Sequence, residues 1–228
     1  MRTVSKNGQI CIITEDIDLS GKLTGQKTKN GIITMEIYLD VDGVILDFES
    51  SMIDFIRDGY MPDLPQDYVL ESWEMTDEFK TLDIQKVWEE FVNSSRFSQL
   101  ELLANTDSFN RLSSRYPVFL ITNVPGFLFD QRQKNLERYQ LVYNEMHFAG
   151  HFDFGDKDYP TKPVMIEKLH QKGKRIVFLD DHPKNCLNVK EHFPDSEVFL
   201  MSRPHNKTLE DQDWTRVKDW EDFINKIM

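Results

Sequence analysis

Three apolar runs with no polar alternation stand out along the chain: Ile37-Tyr38-Leu39, Val118-Phe119-Leu120-Ile121 and Ile176-Val177-Phe178-Leu179. Unbroken runs of this length are the pattern of parallel strands covered on both faces. Further strands are predicted at 152–154 and 196–201, the latter centred on Glu197-Val198-Phe199-Leu200. Between them the apolar spacing changes to that of helices. Leu46, Phe48, Met52, Ile53, Phe55 and Ile56 predict a helix over 46–58, and Ile84, Val87, Trp88, Phe91 and Val92 predict another. More helices are expected over 99–115, 126–143, 162–172 and 183–192, with Pro163 and Pro183 suited to a first turn. The chain closes on a helix over 219–228 with Trp220, Phe223, Ile224 and Ile227 on one face.

Strands alternating with helices predict an α/β fold, a doubly wound parallel sheet. No core strand is legible between 48 and 105, so this stretch is expected to be a small helical insertion over the sheet, with the core formed by 36–47 and 106–228. Residues 1–35 form an N-terminal appendage, a hairpin or an arm, whose one strand-like run is Gln9-Ile10-Cys11-Ile12-Ile13-Thr14.

The polar residues that follow the apolar runs carry the chemistry. Asp40-Val41-Asp42-Gly43-Val44, Thr122-Asn123 and Asp180-Asp181 each come directly after a predicted strand. Ligands in open α/β sheets bind beyond the carboxyl ends of the strands, so the three are expected to meet in one crevice. Carboxylates crowded there repel each other unless a cation holds them, and an all-oxygen site suits Mg²⁺ better than zinc. A carboxylate such as Asp40 can attack phosphorus, with Asp42 as acid and then base. Gly43 allows a sharp turn out of the strand. Thr122 and Lys162 offer a hydroxyl and a positive charge to non-bridging phosphate oxygens. A calcium-loop reading of the Asp40 segment fails, because glycine at 45 and glutamate at 51 would be required and the chain has Ile45 and Ser51.

In this order the four stations resemble the motifs of the haloacid dehalogenase superfamily, specifically its aspartate-nucleophile phosphatases. The resemblance implies Asp40 as nucleophile and Asp42 as acid/base, with phosphate bound by Thr122, Asn123 and Lys162. Mg²⁺ would lie among Asp40, Asp42, Asp180 and Asp181. Where the family shows Gly-Asp this chain shows Asp180-Asp181, which assigns the inner metal contact to Asp181. The resemblance also implies a cap after the first motif. Phe48 and Trp73 are similar to the aromatic cap residues of the 5′(3′)-deoxyribonucleotidase branch, whereas Asp180-Asp181-His182-Pro183-Lys184-Asn185 resembles phosphatases of protein tyrosine or of glycated or small phosphates. The expected substrate is a phosphorylated small molecule or a phosphoprotein. Asp42 favours phosphate esters over the substrates of the dehalogenase relatives. Two alternatives stand beside this reading: a metal-dependent sugar-nucleotide transferase using Asp40 and Asp42, and a non-catalytic binding module.

Composition narrows the partners. A formal net charge of -12 over 228 residues argues against duplex nucleic acid or an anionic membrane surface. The basic stretches Lys172-Gly173-Lys174-Arg175 and Arg132-Gln133-Lys134 are expected to be solvated. Arg96 and Arg132 could alternatively reach a second phosphate or a carboxylate. Cys11 and Cys186 lack any C-x-x-C spacing, which fits a reducing compartment. No signal-like start and no membrane-length apolar stretch is visible, so a soluble, cytoplasmic protein is expected.

Overall fold

The computed structural model describes residues 2–6, 9–13, 27–28, 31–32, 35–72, 74–151, 155–210 and 212–228. In the appendage, β1 (Arg2–Lys6) and β2 (Gln9–Ile13) pair antiparallel as a hairpin, as do the two-residue strands β3 (Lys27–Thr28) and β4 (Gly31–Ile32). The main sheet contains β5 (Met35–Leu39), β6 (Val118–Thr122), β7 (Glu145–Phe148), β8 (Arg175–Asp180), β9 (Glu197–Met201) and β10 (Thr215–Val217). Its order is β10-β9-β8-β5-β6-β7, and every pairing is parallel.

The apolar runs are continuous because both faces of the sheet are covered. Alternate residues feed two separate apolar clusters. Ile37, Leu39, Leu120, Val177 and Leu179 enter one, together with α1 (Phe48–Gly59), α4 (Thr106–Arg115) and α8 (Trp220–Ile227). Tyr38, Phe119, Ile121, Phe178 and Leu200 enter the other, against α6 (Lys162–Leu169) and α7 (Pro183–His192). Helices on both faces make the sheet doubly wound.

Residues 48–105 contribute α1, α2 (Met75–Glu78) and α3 (Ile84–Val92), and no strand among the described residues. Their centre is an aromatic knot around the buried Phe91, whose ring lies 5.5 Å from Phe48, 5.4 Å from Phe55 and 5.6 Å from Phe97.

Several boundaries differ from the sequence expectation for local reasons. The helix expected over 99–115 begins only at Thr106, where the Asn105 side chain accepts the Ser108 N–H. Before it a 3₁₀ turn, Phe97–Gln99, leads into an extended stretch that pairs Leu102 with Leu46. The helix expected over 126–143 is a 3₁₀ turn, Gly126–Leu128, followed by α5 (Phe129–Glu137). α6 stops at Leu169, short of 172, because Glu36 on β5 captures the groups that follow it. The Glu36 carboxylate receives the Gln171 N–H at 3.1 Å and lies 2.8 Å from His170 Nδ1 and 3.1 Å from Lys174 Nζ. Finally, the strand expected at 152–154 lies outside the described residues. The strand that pairs with β6 is β7, an edge strand only partly covered, with no apolar run to betray it.

Candidate active site

The loop after β5 starts with Asp40, whose backbone N–H donates to Leu179 O at 2.9 Å and so locks it to the end of β8. The chain then turns tightly. Gly43 N–H donates to Leu46 O at 2.8 Å, and Gly43 takes φ +76°, a left-handed conformation that favours glycine. A side chain here is also excluded by space, because a Cβ would fall 2.1 Å from Asp181 Oδ2. Thr122 ends β6, Asp180 ends β8, and Lys162 is the first residue of α6. All three are buried.

Lys162 is the keystone of the arrangement. Its Nζ lies 2.7 Å from Asp40 Oδ1 and 2.7 Å from Asp180 Oδ2, with its side chain wholly removed from solvent. Asp180 spends its other oxygen on the His182 backbone N–H at 2.7 Å. Asp40, Asp180 and Asp181 bring carboxylate oxygens within 4.8 Å of one another. Asp42 is turned elsewhere: its Oδ1 lies 2.7 Å from Arg132 Nη2. The Asn123 side chain donates to Gly150 O and accepts from Asn185 Nδ2 at 3.2 Å, so it braces the loop beside Thr122.

Electrostatics follow from this crowding. Burial raises the Asp40 carboxyl to about 7; Lys162 opposes the shift and Asp180 adds to it. Burial likewise lifts Asp181 well above the usual carboxylate range, opposed by His205 and reinforced by Asp40 and Asp180. The Asp42 carboxyl is raised by burial, with Arg132, Lys162 and a hydrogen bond from Thr122 pulling it down.

A hard divalent cation fits this donor set. Asp181 Oδ1 is buried with no hydrogen-bond partner among the described residues, next to two more carboxylates that share one lysine. A cation held by Asp40 and Asp181, with Asp180 close behind, would satisfy that oxygen and relieve the repulsion.

Several residues around the centre carry no recognisable sequence signal. His205, on the 3₁₀ turn Pro204–Asn206, places Nε2 3.6 Å from Asp181 Oδ2 and Nδ1 3.2 Å from Glu49 Oε2. Asn206 Nδ2 donates to the Asp181 carbonyl at 2.7 Å, and Arg203 Nε donates to the Gly43 carbonyl at 2.6 Å. One short turn after β9 thus holds both acidic loops. Arg132 corrects the expectation of a solvated helix face, for it is fully buried. Arg96 pairs with Asp58 on α1. Phe48 packs against Trp88 at 5.7 Å as well as Phe91, and Trp73 lies outside the described residues. A cavity of about 360 Å³ runs beside α1, but none of the stations except Gly43 lines it.

His182 caps α7 by accepting the Lys184 N–H at its Nδ1, which requires a neutral ring. Burial first, then nearby Lys162, His205 and Lys184, lower its pKa to about 4. The unfolded chain takes up this proton near 6.5, so between pH 6.5 and 4 the unfolded state binds more protons and stability falls as pH drops. The expected loss across that window is on the order of 2–3 kcal/mol. His182→Asn, which keeps a capping oxygen, should remove this part of the slope in urea titrations at stepped pH.

Comparison with known proteins agrees with the topology. No protein-family model and no curated protein matches the chain. Among solved structures, a β-phosphoglucomutase from Thermotoga maritima superimposes with a TM-score of 0.55 at 18% identity, covering 86% of this chain and 100% of that one. An L-2-haloacid dehalogenase gives 0.54 at 15%, over 86% and 100%. A HAD-hydrolase from Bacillus subtilis, solved bound to magnesium, gives 0.52 at 13%, over 86% and 99%. The chain has the haloacid dehalogenase-like fold. In that fold's terms the acidic cluster sits where β5 and β8, the central pair of the sheet, both end. No helix of the described residues is long and apolar enough to cross a membrane.

Proposed function

We propose that the protein is a Mg²⁺-dependent phosphomonoester hydrolase working through an aspartyl phosphate on Asp40. The observation that carries this reading is the buried Lys162 bridging Asp40 and Asp180 at 2.7 Å each, with Asp181 in the same cluster. A sugar-nucleotide transferase built on Asp40 and Asp42 has no use for that lysine.

Asp40 Oδ attacks phosphorus, and the bond to the leaving oxygen breaks as that oxygen takes a proton from Asp42. A water then gives its proton back to Asp42 and attacks the phosphoryl group, releasing phosphate and restoring the Asp40 carboxylate. An ammonium has three N–H donors. Two on Lys162 face Asp40 and Asp180, which leaves one for a non-bridging oxygen; the Thr122 hydroxyl serves another. Asp40 and Asp181 would hold Mg²⁺, which when bound neutralises charge on the phosphoryl oxygens. Asp42 argues for ester hydrolysis over dehalogenation, because a halide needs no proton to leave. Residues 48–105 act as the cap, excluding water from the crevice. The substrate in this reading is a nucleotide-like or other aromatic phosphate, phosphotyrosine included, and Phe127, 78% exposed on the turn after Thr122-Asn123, is free to stack on such a ring.

The test is a panel of nucleoside monophosphates, sugar phosphates, a phosphotyrosine peptide, p-nitrophenyl phosphate and a 2-haloacid, each with and without magnesium. Phosphate release that a chelator abolishes is the expected result. Halide release alone, or no release from any ester, would overturn it.

A further inference from the structure

Arg132 is an anomaly that catalysis by the four stations leaves unused. It is fully buried, the largest such side chain among the described residues. Its guanidinium lies 4.5 Å from the centroid of the Phe97 ring, and Nη2 approaches Asp42 Oδ1 at 2.7 Å. Nε and Nη1 find no hydrogen-bond partner among the described residues. Burying a cation with its donors unfilled costs stability, so packing alone does not account for an arginine here.

The surroundings fix this group in position. Phe97, which supports the guanidinium, is itself buried, held edge-on by Phe91 at 5.6 Å and pinned through its carbonyl by Asn135 Nδ2 at 3.0 Å. Asn135 lies one turn along α5 from Arg132, on the same helix face. α5 thus anchors the ring and supplies the cation above it. Asp42 stands two residues beyond Asp40 on the same loop, and its side chain is 15% exposed where that of Arg132 is wholly covered, although both Asp42 oxygens are themselves buried beside the guanidinium.

We propose that Arg132 is a positioning residue, aiming the Asp42 carboxyl at the leaving-group oxygen and thereby extending the enzyme to esters whose leaving group must be protonated. The inference rests on the phosphatase reading above and specifies its substrate class: monoesters of poorly acidic alcohols, beyond activated aryl phosphates. Direct contact between Arg132 and a second phosphate on the substrate is disfavoured, because its side chain is wholly covered and Asp42, the more exposed of the pair, lies on the same loop as Asp40.

The experiment compares wild type, R132M and R132K on p-nitrophenyl phosphate and on an alkyl phosphate such as glycerol phosphate. General acid assistance contributes roughly 10²–10⁴-fold where it is needed. R132M should therefore lose about 100-fold or more in kcat/KM on the alkyl ester and less than about 10-fold on the aryl ester, with R132K recovering part of the difference. Equal losses on both esters, or no loss, overturn the proposal. If wild type hydrolyses neither ester, the phosphatase reading has failed on its own account. The geometry is then decided by crystal structures of wild type and R132M: an Asp42 side chain displaced in the variant supports the positioning role, and one left in place refutes it.

Discussion

Asp40→Asn should abolish turnover of any phosphate monoester, by on the order of 10⁴-fold or more, because an amide cannot form the covalent intermediate. The substitution is nearly isosteric, and its effect on stability separates chemistry from collapse. With the Asp40 carboxyl raised to about 7 by burial, the folded state keeps a proton there that the unfolded chain loses near 3.8. Between those values the native state binds more protons, so this group lowers stability as pH rises. The stability of metal-free wild type relative to Asp40→Asn should therefore fall as pH rises from 4 to 7, a difference in slope that leaves the opposite His182 contribution common to both proteins. Magnesium should stabilise wild type at pH 7 and stabilise the variant less. A variant that is inactive but unfolded at 25 °C would not count as support.

Lys162→Met is expected to be nearly as damaging, and through both fold and function. The methionine fills similar volume but leaves Asp40 and Asp180 as buried carboxylates with no cation between them. Breaking a buried pair by removing one partner typically costs about 3–5 kcal/mol. Turnover should fall by on the order of 10³-fold, since the same charge is lost to the transferring phosphoryl group. Urea melts should show the stability loss, with magnesium restoring part of it. Unchanged stability would mean that the lysine does not hold the carboxylates together.

Much of this was readable from the chain because the informative residues are local to strong patterns. Strands β6, β8 and β9 are covered on both faces and announce themselves as apolar runs. α7 matches its expected bounds because Pro183 sets its first turn. What escaped notice depends on distant partners. β7 and β10 are short edge strands, partly polar, whose pairing is dictated by their neighbours in space. Arg132 has the same letters around it as a solvated arginine; only the fold brings Asp42 and Phe97 to it. His205 and Asn206 follow β9 with no motif of their own, and acquire meaning because Asp181 is beside them.

The register of the central strands sets a timetable for assembly. Met35 pairs with Arg175 and Leu39 with Leu179, so that both neighbours of β5, namely β6 and β8, come from points far along the chain. A ribosome must therefore have released most of the polypeptide before β5 can acquire its second neighbour. Until then the Asp40 loop has no anchor on Leu179, and Lys162 no second carboxylate to clasp. Pairings of such long sequence separation fold slowly. Competence should thus appear late and abruptly during refolding, with turnover lagging behind recovery of helical signal, and the open apolar edges of β5 and β6 should be the surfaces most in need of a chaperone meanwhile.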